Sequence, residues 1–129
     1  MTAIPDGYED LLVRPLIGHL ATVRLDGAPS VTPMWYSWDG ELLRFTHTTR
    51  RAKLRNIERE PNIALSVADP DSPYRYLQAR AVVKSITPDP TGAFYVELAE
   101  RYGRPNLAPP PDAVDRVVIA AQPFAYSKQ

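Results

Sequence analysis

The chain has 129 residues, 15 Lys and Arg balanced by 15 Asp and Glu, 44% apolar residues and no cysteine. That length fits a single domain over residues 1–129, large enough to bury about two-thirds of the unfolded surface without staples. Zero net charge sets no field toward nucleic acid, the missing thiols exclude disulfides and Cys-ligated zinc, and no run nears the ~18 apolar residues of a membrane helix. The first ten residues carry acids and no apolar run, unlike a secretory or transit segment, so a cytoplasmic protein is expected.

Fourteen residues are proline, roughly twice the usual share. Proline fixes φ and lacks a donor, so many short elements separated by turns are expected, and strands rather than helices. Residues 18–25, with Thr22, Val23 and Leu25, predict a first strand. Asp26-Gly27 is a strong hairpin signal, expected as a tight turn with both central residues at positive φ. Residues 30–38 predict a second strand, Asp39-Gly40 a second such turn, and residues 41–47 a third strand, together an antiparallel meander. Residues 49–60 read as a helix, with Thr49 as cap, Ala52, Leu54 and Ile57 on its inner side, and Pro61 as its stop. A fourth strand follows at 63–68, a turn at 70–73 and a long fifth strand at 74–86. In the fifth, alternation puts Leu77, Ala79, Ala81 and Val83 on one face. Asp89-Pro90 opens a second helix, along which Phe94, Leu98 and Tyr102 recur until Gly103. After a proline-rich loop at 106–112, residues 114–121 predict a sixth strand. Six strands with short inserted helices point to a small closed or half-open barrel.

Most catalytic patterns are missing: there is no G-x-S-x-G, no G-x-x-x-x-G-K and no G-x-G-x-x-G. His19 and His47 stand 28 positions apart without a carboxylate pattern around them, so no metal site is expected. His19 reads as a satisfied barrel histidine. His47, at a strand end beside a basic segment, is a candidate for lining a site. That segment holds Arg50, Arg51, Lys53, Arg55 and Arg59, a third of all the basic residues. The pairs Arg51/Arg55 and Arg55/Arg59 are like-charged at i, i+4, which destabilises a bare helix. The cluster also lies at a predicted helix start, where free N–H groups favour an anion. Arg51 and Lys53 reach an anion above that end from opposite sides, and phosphate is the favoured ligand. In Thr32-Pro33-Met34-Trp35-Tyr36-Ser37-Trp38, alternation places Met34, Tyr36 and Trp38 on one face, as flat surface for a ring system, with Trp35 in the core.

The runs HLATVRLDGAPSVTPMWYSWDGELLRFTHTTRRAKLRNIEREPNIALSV, PYRYLQARAVV and ERYGRP resemble the split β-barrel flavin and deazaflavin oxidoreductases. These are the pyridoxamine-phosphate-oxidase-like proteins, and the likeness is to their small branch that uses coenzyme F420. It covers roughly residues 8–126. The resemblance implies a mainly β fold, a six-stranded antiparallel split barrel with two or three short helices, and a homodimer with cofactor grooves between subunits. It implies that Arg51 and Lys53 bind the cofactor phosphate, that Thr46 contacts the same end, and that Thr32 and Pro33 run under the ring. Asn56 matches the asparagine of the family's R-N pair. Ala81 departs from the pattern: relatives carry glycine there, and a methyl group is expected to narrow the groove.

The implied function is hydride transfer between reduced deazaflavin and a small organic acceptor, with the cofactor supplying the chemistry and no side chain assigned as catalytic. An FMN-dependent oxidoreductase of the same fold is the alternative, and a non-catalytic binder of haem or another tetrapyrrole is a third reading. No nucleic-acid or membrane partner is expected.

Overall fold

The computed structural model describes residues 3–129. In chain order it has helix α1 (Asp10–Val13), strands β1 (Gly18–Val23), β2 (Pro29–Met34), β3 (Ser37–Trp38) and β4 (Leu43–Thr48), and helix α2 (Ala52–Arg59). Strands β5 (Asn62–Asp69) and β6 (Ser72–Pro88), helix α3 (Ala93–Arg101), a 3₁₀ turn at Ala113–Asp115 and strand β7 (Arg116–Lys128) complete it. The expected mainly β, antiparallel architecture is present. Its single sheet has seven strands, in the order β2-β1-β5-β6-β7-β4-β3.

The seventh strand arises because the run at 30–38 breaks in two. Trp35 and Tyr36 leave the ladder, and the strands on either side of them, β2 and β3, form opposite edges of the sheet. Met34 and Ser37 are three residues apart, a reach of at most about 11 Å. The sheet must therefore curl until its two edges nearly meet. Closure is covalent, through the link, and not by pairing between β2 and β4. Pro29 and Pro33 lie on an edge strand, where a missing donor costs least. Pro123 lies at a register shift between β6 and β7, where Arg80 faces Ala125 and Ala81 faces Pro123, so β7 runs beyond the residue 121 end expected for it.

Within the curl, Leu20, Phe45, Leu65, Val67, Leu77 and Ile119 are fully or almost fully buried. Leu54 and Ile57 of α2 join that core, while Ala52, expected beside them, is exposed. Ala81 is also at 0% exposure, among the core residues. Its methyl group fills the barrel interior and does not narrow a surface groove. His19 lies on barrel strand β1, as expected, with its side chain on the exposed outer side.

Both Asp-Gly turns form, with a different geometry from that expected. Gly27 and Gly40 have φ of 84° and 96°, but neither aspartate has positive φ. Asp26 Oδ1 instead accepts from Ala28 N at 3.0 Å, and Asp39 Oδ1 accepts from Glu41 N and Leu42 N at 2.8 and 2.7 Å. These are side-chain-supported loops with one left-handed glycine each.

Leaving the ladder also inverts the expected roles of the aromatic residues. Tyr36 is completely buried and donates its hydroxyl to Leu11 O at 2.7 Å. Gly18 makes room for it, since a Cβ there would sit 3.2 Å from Tyr36 and 2.6 Å from Leu65. Trp35 is half-buried outside the core, its ring stacked on Tyr102 at 5.0 Å between centroids. Strand alternation cannot be carried through a link that is not strand.

The link's orphaned peptide groups are met from the end of α3. Tyr36 N donates to the Tyr102 hydroxyl at 3.1 Å, and Arg101 Nε donates to Tyr36 O at 2.9 Å. The same guanidinium donates to the carbonyls of Leu12, Val13 and Arg14 at 3.1, 2.8 and 2.9 Å, and so fixes the end of α1 as well. Tyr102 donates to Leu16 O at 2.7 Å. Helix α1, four residues that no helical period signals, holds Leu11 and Leu12 in the core under this clamp.

Arg101→Met keeps the aliphatic stem and deletes the donors, leaving the carbonyls of Leu12 and Val13 to find other partners while Arg14 O keeps Leu16 N and Tyr36 O keeps the Tyr102 hydroxyl. Bonds to charged groups are worth about 1.5–3 kcal/mol each and the site is partly solvated, so a loss of about 2–4 kcal/mol is expected in urea denaturation. A change under about 0.5 kcal/mol, the usual range for a neutral surface substitution, would show that the clamp is dispensable.

Candidate anion-binding site

The seam left between β2 and β4 is where charge collects. Helix α2 begins four residues after β4, so its N-terminus falls over the gap. A recess of about 200 Å³ opens there, lined by Thr32, Pro33 and Met34 of β2 and Thr46, His47 and Thr48 of β4, with Arg51, Lys53 and Arg116. The helix begins at Ala52, later than expected. Its N-cap is Arg51, in extended conformation (φ −104°, ψ 145°), and no side chain caps it. Thr49, expected as cap, stands outside the helix, and Thr48 Oγ1 accepts from Arg50 N at 3.3 Å.

Lys53 spans the seam. Its Nζ donates to Thr32 Oγ1 and lies 3.9 Å from Met34 Sδ, so a cation on α2 holds the free edge of β2. Arg116 enters from β7, where Thr48 pairs with it across the ladder. Its Nε donates to Asp112 at 3.0 Å, its guanidinium stacks over Tyr95 at 5.1 Å, and Nη1 reaches Thr46 Oγ1 at 3.5 Å.

The electrostatics are those of a site with too many cations. Burial, then the charge of Arg51, lowers the pKa of Lys53 from its ordinary value. His47 is 5% exposed, and its Nε2 makes no hydrogen bond. Burial first, then Lys53, Arg51 and Arg116, pull its pKa down to about 4, with Asp112 opposing. An anion would offset the repulsion among these cations at once.

The sequence-derived candidates divide cleanly. Thr32, Pro33, Thr46, Arg51 and Lys53 surround the recess. Asn56 does not, for one turn along α2 it lines an adjacent groove of about 550 Å³ with Arg24, Leu25, Asp26, Ser30, Ala52 and Lys53. Of the other cluster members, Arg50 forms an ion pair with Asp115 and Arg59 donates to Val23 O at 3.0 Å, so both are engaged elsewhere. Arg116 is the residue that sequence reasoning missed. It is 65 positions from Arg51, and only the β4–β7 register brings them together. Among the described residues, no group of three or more His, Asp or Glu side chains is placed to hold a metal, and no helix is long and apolar enough to cross a membrane.

A curled antiparallel sheet split along one seam, with a cationic recess in the split, defines a split β-barrel of the flavin-oxidoreductase type. The chain belongs to the pyridoxamine 5'-phosphate oxidase family, whose model matches residues 4–128. A solved structure named F420 reductase is similar at 61% identity and a TM-score of 0.95, over 98% of this chain and all of that one. The conserved hypothetical protein Rv2991 from Mycobacterium tuberculosis is similar at 25% identity and a TM-score of 0.74, over 99% of this chain and 85% of that one. General Stress Protein 26 from Bacillus anthracis shares the fold at 21% identity and a TM-score of 0.70, over 93% and 88%. No curated protein matches the chain.

The depressed pKa of His47 makes stability pH-dependent. Between its folded value of about 4 and the ordinary 6.5, the unfolded chain binds the extra proton, so stability falls as pH drops through that window. The full loss is about 3 kcal/mol, at 1.36 kcal/mol per pKa unit. Denaturation of His47→Gln beside the parent should show the variant losing less over that window. Parallel profiles would mean that the imidazole is not held neutral.

Proposed function

We propose that this protein is an F420-dependent reductase, in which a hydride passes between the reduced deazaflavin and a small organic acceptor. The observation that carries this reading is the recess itself. Three cations, the hydroxyls of Thr32 and Thr46 and an unbonded buried imidazole converge on a volume suited to one phosphate group. The 61% identity to a structure named F420 reductase, over essentially the whole chain, supports the choice of cofactor. The family's oxidase name keeps FMN as the second reading, because a flavin phosphate meets the same donors.

When bound, the deazaflavin supplies the hydride. In this reading Lys53 and Arg51 hold the phosphate with charge-assisted bonds, and Arg116 adds a third cation while Asp112 fixes its plane. Lys53 also keeps β2 in place, which positions the Thr32-Pro33 backbone proposed to run beneath the ring. No side chain is assigned to proton transfer.

The protein also works as a homodimer in this reading. Trp35 stacks on Tyr95 and Tyr102 of its own chain and does not carry this reading. What supports it is the outer face of the sheet, where Pro29, Val31, Ala21, Val23 and Ala64 make a shallow apolar surface beside Phe124. Val31 is 64% exposed there. Such patches usually mark interfaces. Light scattering should give twice the chain mass for the parent and a shift toward monomer for Val31→Asp; a stable monomeric parent would remove the intersubunit groove.

Titration with F420 and with FMN tests the cofactor, followed by single-turnover oxidation of whichever reduced form binds. Tighter binding of F420 is expected, and binding of FMN alone would move the chain to the second reading. Arg51→Ala and Lys53→Ala should each weaken binding about ten- to a hundredfold, for a bond of about 1.5–3 kcal/mol at 1.4 kcal/mol per decade. Arg59→Ala is the control, at the far end of α2, and should change affinity less than about twofold. Equal, small losses at all three positions would reduce the cluster to a solvated surface.

A further inference from the structure

His47 is the buried side chain of the recess that has no hydrogen-bond partner. It sits between Thr46 and Thr48 on β4, 5% exposed, and its Nε2 has no partner. Two other buried side-chain atoms among the described residues share that condition, Thr22 Oγ1 and Trp38 Nε1, and neither residue lines the recess. An unpartnered buried donor or acceptor is uncommon and calls for an explanation. At the wall of a cationic recess, the explanation is a partner that arrives with the ligand.

The charges that face the imidazole come from every side of the site. Lys53 and Arg51 belong to α2 and its cap, Arg116 to β7, and Asp112 to the segment before the 3₁₀ turn. Thr32, Pro33 and Met34 of β2 bring no charge. Asp112 is already bonded to Arg116, so the balance on the ring is cationic and keeps it neutral. A bound anion offsets that balance, because a charge of opposite sign at contact distance favours the protonated ring.

We propose that His47 is an anion-binding residue that takes up a proton as the anion binds, becoming a cationic hydrogen-bond donor to it. The proton comes from solvent and is added to the unprotonated ring nitrogen; no other bond is made or broken. The inference rests on the reading of the recess as the cofactor's phosphate site, and it makes affinity rise as pH falls. In the free chain His47 is half-protonated only near pH 4, so proton uptake spans the range between that value and the raised one.

The chain has only two histidines, and the other, His19, is exposed on β1. NMR titration of the imidazole resonances therefore reads His47 with a single other histidine to assign, in the intact parent protein. The titration is run free, with saturating F420, and with sulfate, an anion that keeps its charge across the range. The expected result is a rise of at least about one unit in the His47 midpoint with either ligand. A two-unit rise makes anion affinity about tenfold tighter at pH 5 than at pH 7, and His47→Gln should flatten that dependence. An unmoved His47 midpoint at saturation, or the same pH slope in His47→Gln, overturns the inference. The parent titration decides the matter even if the variant folds poorly. Sulfate binding with proton uptake, but no F420 binding, would uphold the role of His47 and overturn the cofactor reading.

Discussion

Everything in this molecule depends on keeping one two-residue link in place. Trp35 and Tyr36 connect the two edges of a seven-stranded sheet, and they have no ladder to hold them. A buried peptide without a partner costs about as much as a lost hydrogen bond. Arg101 and Tyr102 remove that cost by offering a side-chain donor to Tyr36 O and a side-chain acceptor to Tyr36 N. One guanidinium then does for α1, the link and α3 what a ladder does for strands. The planar fork of arginine suits this, because its donors reach several carbonyls at fixed angles.

The binding recess is the other face of the same arrangement. Since β2 and β4 are held near each other but do not pair, the barrel has a slot into which side chains can project. The residues that fill the slot are polar at every contributing element: Thr32 from β2, Thr46 and His47 from β4, Arg51 and Lys53 from the start of α2, and Arg116 from β7. Lys53 joins the two roles, tying the β2 edge while facing the recess. Stability and binding are thus coupled at that residue, since the cation that meets a ligand is also the one that steadies the wall.

What could be read in advance was local chemistry. Asp26-Gly27 and Asp39-Gly40 announced their turns because aspartate oxygens and a left-handed glycine act over three or four residues. The long β6 showed its inner face through Leu77, Ala79 and Ala81, all buried. Arg51 and Lys53 were legible as an anion pair because i, i+2 at a helix start fixes their relative direction. Closure was not legible: no local signal says that Trp35 and Tyr36 abandon the strand, and the expected faces of Trp35 and Tyr36 were exchanged as a result. Arg116 was invisible for a related reason, since its place beside Thr46 is set by a pairing between segments about seventy residues apart.

The sheet order also bears on how the chain assembles during synthesis. The first two hairpins, β1–β2 and β3–β4, are complete early, yet they belong to opposite halves of the sheet. The first half docks when β5 appears, but β4 must wait for β7, which follows the other six strands in the chain and bridges β6 to β4. Until it emerges, β4 and β6 both present a bare edge, the kind of surface that pairs with other chains. Long-range pairing of this sort slows folding. A chain released or cut before β7 would therefore lose the strand that joins the two parts of its sheet, not a peripheral one, and would be expected to aggregate rather than persist as a trimmed barrel.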